Sequence, residues 1–219
     1  MGINAATLPH LFFQQAKTQR DRIALRRKEF GIWNHITWDE YGKMVKKTAA
    51  GLIHAGLQPG DRVAILGDNR PEWLVCHVAA MAIGCVTCGV YSTNAPEQVA
   101  YVMGHSESKL LFVENEEQVD KVLQIYKDLE KLKNVVVWDP KGLWGFSHEG
   151  IMFWNEFLEQ GDAYLQDNHK KSDRKASSPI ESLIRQRSSQ TGDKQASGSR
   201  LKKSRLCDCH GFSYVWRLA

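Results

Sequence analysis

Short apolar runs alternate with longer amphipathic runs between residues 56 and 114. The runs at 62–66, 85–91 and 109–114 are rich in aliphatic residues and bounded by Gly, Pro or Asn, which is typical of buried strands. A fourth such run begins at Val135. The starts lie 23 to 26 residues apart, a spacing that fits short strand–helix–strand crossovers. The pattern predicts an α/β fold with a mostly parallel layered sheet and flanking helices.

An amphipathic helix and a hairpin are predicted before this stretch. The helix at 9–20 presents one apolar stripe at helical spacing, made of Leu8, Leu11, Phe12 and Ala16. Two short β runs, 23–28 and 32–38, are joined at residues 29–31, which predicts a hairpin.

The signals for helix starts and stops are clear in the middle of the chain. Thr37 stands three residues before Glu40, which predicts a capping box at the start of a long helix that ends at Gly56. A second helix is predicted to run from Pro71 to residue 83, where Gly84 ends it. A third is predicted around Pro96 and is expected to be capped by Ser92 or Asn94, both of which precede it.

The regular pattern weakens after Asp139 and is lost further on. Residues 151–158 predict a last short helix, and beyond about residue 167 Lys, Arg, Ser, Gln and Gly dominate. Such a segment buries too little apolar area to offset its ordering entropy. We therefore expect a folded part at 1–165 and a disordered, basic, low-complexity tail at 166–219.

The tail carries the net positive charge of the chain. The whole sequence has a formal charge of +4, yet residues 1–165 hold 17 Lys and Arg against 20 Asp and Glu. The basic run at 200–205 resembles a nuclear-localisation signal or a nucleic-acid-binding patch, but the sequence around it does not indicate a folded nucleic-acid-binding domain. A solvated tail is the favoured interpretation, and we expect no specific nucleic-acid partner.

The cysteine content and the apolar segments indicate the cellular compartment and the relation of the chain to membranes. Five cysteines, an odd number, and a start without a signal peptide favour a reducing, cytoplasmic setting. The apolar segment at 74–91 is interrupted by Gly84 and Gly89, so a buried helix followed by a strand is favoured over a membrane span. At most, peripheral membrane association is expected.

Two groups of cysteines match the sequence pattern of a redox or metal site. Cys85 and Cys88 match the C-x-x-C spacing of redox and metal sites. Residues three apart in a strand point to opposite faces, which favours two structural cysteines. Cys207, Cys209 and His210 supply three ligand types but no distant partner, so the zinc signal is weak.

The remaining candidates also have a structural interpretation. Residues 67–71 follow a strand and precede a helix, where phosphates often bind, but they lack the Gly-rich phosphate-loop spacings. Asp61 with Arg62 fits a turn acid beside a strand-entry cation better than a catalytic pair. The eight histidines form no triad-like spacing, at positions 10, 35, 54, 77, 105, 148, 169 and 210.

Three pieces of sequence together resemble a known family: GLQPGDRVAIL, DNRPEW and GVYSTNAPEQVAYVMGHSESK. Residues 8–165 resemble the beginning of adenylate-forming (AMP-binding) enzymes, and among them the long-chain fatty-acyl-CoA synthetases. The resemblance implies ATP, Mg²⁺ and CoA as cofactors, a fatty acid as substrate and an acid–thiol ligase reaction.

The chain departs from that family where its chemistry lies. The Ser/Thr/Gly-rich phosphate loop, the adenine-contacting stretch, the ribose-binding Asp and the late catalytic Lys are absent from the sequence. No catalytic, cofactor-binding or metal residue of the family maps onto this chain. We therefore expect a truncated amino-terminal portion that is inactive alone and binds none of the cofactors tightly.

Two hypotheses accompany that expectation. The basic tail is consistent with an out-of-frame translation of the region leading into the phosphate loop, which the nucleotide sequence would decide. The alternative function is a non-catalytic binding or oligomerisation module derived from the same scaffold, self-associating through exposed apolar surface.

Overall fold

A computed structural model describes residues 7–172 of the chain. These residues contain six α-helices, which are α1 Leu8–Thr18, α2 Trp38–His54, α3 Pro71–Ala82, α4 Pro96–Ser106, α5 Glu116–Ile125 and α6 Trp154–Ser172. They also contain seven strands, which are β1 Ile23–Glu29, β2 Ile32–Thr37, β3 Arg62–Leu66, β4 Val86–Val90, β5 Leu110–Val113, β6 Asn134–Val137 and β7 Ile151–Phe153.

The strands form two separate sheets. β1 and β2 make an antiparallel hairpin, as predicted from the sequence. The other five make a parallel sheet in the order β4-β3-β5-β6-β7. The predicted parallel α/β layer is therefore confirmed, with β3 and β5 paired at its centre.

Helices cover both faces of the parallel sheet. On one face α2, α3 and α6 pack over Val63, Ile65 and Phe112. On the other face α4 and α5 pack over Leu66, Leu111 and the other strand side chains that alternate with the first set. β3 and β5 are buried on both sides, which explains their nearly unbroken aliphatic runs. Through α3 the chain passes from β3 to β4 on one face of the sheet. Through α4 it passes in the opposite direction, from β4 to β5, on the other face. Because both the direction and the face are reversed, the two crossovers have the same handedness.

Local signals fix several of the element ends. Thr37 and Glu40 form the predicted capping box at the start of α2. Gly56 and Gly84 adopt the left-handed region, with φ of 84° and 78°, and end α2 and α3 as expected. The apolar segment 74–91 divides at Gly84 into a helix and a strand. Within residues 7–172 none of the helices is both long enough and apolar enough to cross a membrane.

The structure corrects three sequence-based predictions. Leu8 is 60% exposed and does not belong to the buried stripe of α1, which docks mainly through Phe12. Neither Ser92 nor Asn94 caps α4; the N-cap is Ala95, whose backbone N–H donates to the side chain of Gln98. Residues 151–158 are not one short helix, because β7 comes first and α6 then follows for 19 residues.

The helix α6 lies in close contact with α2. Phe157 of α6 is buried, and its ring packs on Gly51 of α2. One turn later Gly161 of α6 faces the backbone of α2 at Lys47 and Gly51. α6 continues seven residues past position 165, to Ser172, and the rest of the expected tail lies outside the described residues.

Candidate functional site

The strand order points to one edge of the sheet as the place for a site. In an open parallel sheet, ligands bind outside the carboxyl ends of the strands where the chain reverses its direction of winding. Here that point lies between β3 and β5, because β4 is added on one side of β3 and β5 on the other. The residues that follow these strands are therefore the first candidates.

Five residues at this edge form one hydrogen-bonded set, which we call the carboxyl-edge network. It consists of Asp68, Arg70, Ser92, Glu114 and Asp139. They follow four different strands, β3, β4, β5 and β6, and the parallel sheet brings these strand ends together.

Glu114 is the centre of the carboxyl-edge network. Its side chain is only 9% exposed. Oε2 accepts the backbone N–H of Asp68 at 2.6 Å, and Oε1 accepts a hydrogen bond from Nη1 of Arg70 at 2.8 Å. The buried carboxylate is thus compensated by one charged and one neutral donor, as burial of a charge requires.

Arg70 joins two carboxylates across the strand ends. Its Nη1 also donates to Oδ2 of Asp139 at 3.2 Å. Burial by itself would lower the pKa of Arg70, but the hydrogen bonds to Glu114 and Asp139 and the charge of Glu72 raise that pKa above its usual value. The neighbouring carboxylates therefore stabilise the charged guanidinium and offset the cost of its burial.

Asp68 connects the network to the β4 side. Its Oδ1 accepts a hydrogen bond from Oγ of Ser92 at 2.6 Å. The backbone oxygen of Ser92 in turn accepts one from Nζ of Lys121 at 2.6 Å, which ties in α5. The hydroxyl of Ser92, which the sequence predicts as a cap of α4, is thus held by a carboxylate instead.

Gly67 allows the strand ends to come this close. A Cβ placed on Gly67 would lie 2.7 Å from Cζ2 of Trp138 and 2.8 Å from Cβ of Glu114. Both contacts are shorter than side chains tolerate. The position needs glycine for its small size, so that the indole and the carboxylate can pack over the β3 turn.

Three buried polar atoms at this edge lack a hydrogen-bond partner among the described residues. They are Nε of Arg70, Oε2 of Glu72 and Nε1 of Trp138. Oε2 of Glu72 lies 3.8 Å from Nε of Arg70, which is an ion pair without hydrogen-bond geometry. Glu72 also pairs with Arg27 at 3.2 Å, and this contact ties the edge to the hairpin.

The carboxyl-edge network has a structural role, and most of its ionisable side chains are carboxylates. The backbone N–H of Asp68, a donor that a phosphate would need, is already taken by Glu114. The four carboxylates of Asp68, Glu72, Glu114 and Asp139 outnumber the three nearby cations, which are Arg27, Arg70 and Lys121. Residues 67–71 therefore fit a plain turn between strand and helix better than a phosphate site. No cysteine, and no serine paired with a histidine, belongs to this set.

Asp61 and Arg62, the other predicted pair, lie at the opposite edge and have different partners. Asp61 pairs with Nζ of Lys109 at 2.7 Å and accepts the backbone N–H of Gln58 at 2.9 Å. Arg62 pairs with Glu107 at 2.7 Å. Asp61 is thus a turn acid that fixes the entry to β3, as its structural interpretation predicts.

Asp61 has a pH-dependent role in stability. Burial by itself raises its pKa, but the hydrogen bonds from Lys109 and Gln58 outweigh that effect and hold the pKa below its usual 3.8. A depressed carboxyl pKa stabilises the fold above the unfolded pKa, and this contribution is lost as the pH falls through the folded value.

The substitution Asp61→Asn tests this role. We expect the variant to be about 1 kcal/mol less stable than wild type at pH 7. The two stabilities should converge as the pH falls from about 4 to about 2. Urea denaturation across that range measures the difference, and a constant gap would contradict the assigned role of the carboxylate.

The cysteine and histidine candidates whose side chains the structure describes, all within residues 7–168, do not assemble into a site. Cys85 belongs to the core cluster on the α3 face, whereas Cys88 packs against the cluster on the α4 face, so the predicted divergence is confirmed. Nδ1 of His77 lies 2.7 Å from Oγ1 of Thr87, and burial lowers the pKa of His77. In this part of the chain no three metal-binding side chains come together. Cys207, Cys209, His210 and the run 200–205 lie outside the described residues.

Sequence reasoning missed the carboxyl-edge network. The signal that it left unused is a charged residue within a few positions of the end of each of β3, β5 and β6. Because parallel strands end at the same edge of a sheet, this placement indicates contact among Arg70, Glu114 and Asp139.

Comparisons with known proteins agree with this architecture. The model of the family described as AMP-binding enzyme matches residues 12–175. The chain is 33% identical over 132 residues to the human long-chain-fatty-acid–CoA ligase ACSBG1, covering 60% of this chain and 18% of the relative. It is 33% identical over 157 residues to mouse ACSBG2, covering 71% of this chain and 23% of that ligase. The chain thus spans about a fifth of the length of these curated relatives.

Solved structures share the fold at lower identity. A putative long-chain-fatty-acid CoA ligase from Rhodopseudomonas palustris matches with a TM-score of 0.60 and 21% identity, over 71% of this chain and 37% of its own. The acetoacetyl-CoA synthetase from Streptomyces lividans matches with a TM-score of 0.61 and 24% identity, over 67% and 24%. With the family match over residues 12–175, these similarities confirm the resemblance seen in the sequence, and the chain belongs to the AMP-binding enzyme family.

Proposed function

We propose that residues 7–172 are a scaffold portion of an ATP-dependent long-chain fatty acid–CoA ligase. The proposed reaction of the whole enzyme joins a fatty acid to CoA and converts ATP to AMP and pyrophosphate. The observation that carries the proposal is the family match over residues 12–175, a range that contains the whole parallel sheet. The relatives named as long-chain-fatty-acid–CoA ligases support the choice of substrate.

The chain by itself is proposed to be inactive. Adenylyl transfer needs donors and cations placed around the phosphates where charge develops in the transition state. The sequence contains no Tyr-Thr-Ser-Gly-Thr-Thr-Gly-like loop to supply those donors. The ionisable side chains of the carboxyl-edge network are mostly carboxylates, which do not supply such donors. Without oriented phosphates the reaction loses both positioning and the electrostatic stabilisation of its transition state.

ATP, Mg²⁺ and CoA are the cofactors proposed for the whole enzyme. The described residues do not fit them: the network is acidic, the backbone N–H of Asp68 is taken by Glu114, and no metal-binding cluster occurs among the described side chains. Tight binding of these cofactors to this chain is therefore not expected. We assign the described residues a structural role in the whole enzyme. They fix the ends of β3, β5 and β6 relative to one another and so support the parts of the enzyme that pack beside these ends.

A pyrophosphate-release assay tests the proposed inactivity. The purified chain, given ATP, Mg²⁺, CoA and palmitate, is expected to release no pyrophosphate above the rate without protein. Mouse ACSBG2 in the same assay is the positive control. Release that requires palmitate and scales with the amount of chain would contradict the inactivity.

A chimera tests the scaffold role separately. In it, the matching segment of mouse ACSBG2 is replaced by residues 12–175 of this chain, the range that the family model matches. Retained fatty-acid-dependent turnover is expected if the scaffold is equivalent. A chimera with a cooperative thermal transition but no turnover would overturn the scaffold assignment, whatever the isolated chain does.

A further inference from the structure

The β1–β2 hairpin exposes a basic and aromatic face. Cross-strand partners in an antiparallel pair lie on the same face, and Arg26 is opposite His35 while Lys28 is opposite Trp33. All four of these residues are exposed. Together with Phe30 in the turn they define the outer hairpin face.

Phe30 has an unusual conformation for its residue type. Its side chain is 96% exposed and its φ is 48°, followed by Gly31 with φ of 83°. Two left-handed residues form the type of turn that Asn-Gly sequences prefer, and a bulky aromatic residue is disfavoured there. Phe30 therefore does not stabilise the described fold, since its ring is not buried and its backbone conformation is unfavourable.

Among residues 1–165, Lys and Arg are most frequent in the first strand of the hairpin and just before it. Residues 17–28 contain six Lys and Arg and one acidic residue, Asp21, whereas residues 29–165 contain 11 Lys and Arg and 19 Asp and Glu. Arg27 on the inner face pairs with Glu29 and Glu72. Arg26 and Lys28 make no ion pair with any described residue, and Nζ of Lys28 lies 6.0 Å from the ring of Trp33. The outward cations are therefore available to a partner.

The hairpin is held firmly enough to present this face. Leu25 and Ile36 on its inner side pack against the core cluster of the α3 face. The ion pair of Arg27 with Glu72 attaches the strand to the start of α3. The turn that carries Phe30 projects beyond these attachments, so the ring stands at the end of a supported hairpin.

We propose that the outer hairpin face docks on an anionic lipid bilayer, with Phe30 and Trp33 in the headgroup region and Arg26 and Lys28 against lipid phosphates. Aromatic rings favour the bilayer interface, and basic residues beside them gain from the negative surface potential. A convex turn with an outward ring fits a deformable lipid surface. A second copy of the same face is disfavoured, because like charges would meet. The proposal does not depend on the ligase function.

The experiment measures binding of the full chain to vesicles by flotation. Vesicles of phosphatidylcholine with 30% phosphatidylserine are compared with pure phosphatidylcholine vesicles, at low and high salt. We expect binding to the anionic vesicles that weakens at high salt, because the attraction is screened. Equal binding to both vesicle types would overturn the proposal.

The variant Phe30→Asn separates lipid contact from folding. Asn adopts the left-handed region readily, so the turn and the thermal midpoint should be kept or improved. Partitioning onto anionic vesicles is expected to fall about tenfold. The pair Arg26→Gln and Lys28→Gln should weaken partitioning about 25-fold, at about fivefold for each charge near the surface.

Matched controls remove equivalent groups elsewhere. Tyr101→Ser removes another exposed aromatic ring, and Lys131→Gln with Lys133→Gln removes two exposed charges far along the chain. These variants should bind vesicles like wild type, and residues 173–219 are present in every variant. Wild-type binding by Phe30→Asn, or equal losses in the controls, would overturn the proposal. So would a loss confined to duplex DNA binding or to self-association, with vesicle binding unchanged.

Discussion

Replacing Glu114 with Gln is expected to lower the free energy of unfolding by about 3 kcal/mol. The carboxylate is 9% exposed and accepts hydrogen bonds from Asp68 and Arg70. A Gln side chain keeps the shape but has one acceptor oxygen. Its amide would face a donor, and Arg70 would lose one of its two hydrogen-bonded carboxylates. Urea denaturation at pH 7 measures the loss.

Glu117→Gln is the matched control for this substitution. The side chain of Glu117 is 69% exposed and pairs with Lys121 at 2.9 Å. Exposed pairs of this kind contribute little, so we expect a loss below about 0.5 kcal/mol. In a double-mutant cycle, Arg70→Met should cost less in the Glu114→Gln background than in wild type. Additive losses would show that the two side chains are not coupled, contrary to their geometry.

Replacing Gly161 with Ala is expected to cost about 3 kcal/mol, because α2 and α6 touch at this position through their backbones. A Cβ on Gly161 would overlap the backbone oxygen of Lys47 and would lie 3.0 Å from the backbone nitrogen of Gly51. Backbone atoms cannot turn away as a side chain does, so the two helices must move apart. That movement also loosens the packing of Phe157 on Gly51. Thermal and urea denaturation followed by circular dichroism measure the change.

Gly104→Ala makes the same chemical change where there is room. Gly104 lies inside α4, and a Cβ there would meet no atom within 4 Å. The variant should be as stable as wild type or gain up to about 1 kcal/mol from the better helix propensity of Ala. If Gly161→Ala were equally harmless, the close approach of the two helices could not be correct.

The core strands were predictable because each carries its own local signal. Starts expected near 62, 85, 109 and 135 are observed at Arg62, Val86, Leu110 and Asn134. The aliphatic runs identify the strands, and Gly56 and Gly84 mark the preceding helix ends through their positive φ. These signals lie within a few residues of the feature that they predict.

Features that depend on distant partners were missed. β7 has three residues and no turn signal before α6, and it is a strand because Ile151 pairs with Val135 of β6. Ser92 has the right residue type for a helix cap, but the carboxylate of Asp68, 24 positions earlier, holds its hydroxyl. Leu8 fits the helical period of α1, yet it stays largely exposed among the described residues.

The candidate site was missed for the same reason. Arg70 and Glu114 are 44 positions apart, and Arg70 and Asp139 are 69 apart. No local pattern links them, and the contact arises only when β3, β5 and β6 are placed side by side. The preference for a plain turn at residues 67–71 rests on the missing glycine spacing, which is itself a local observation, and it stays a prediction.

The contact between α2 and α6 has a consequence during synthesis. His54, the last residue of α2, and Gly161 are separated by 107 residues. A ribosome adds about 5 to 20 residues per second, so the face of α2 that α6 covers waits about 5 to 20 seconds for its partner. During that interval only the side of α2 that faces α6 lacks its partner, since α1 and α3 also pack on α2. The packing of Phe157 on Gly51 is therefore among the last contacts of the described residues to form during synthesis.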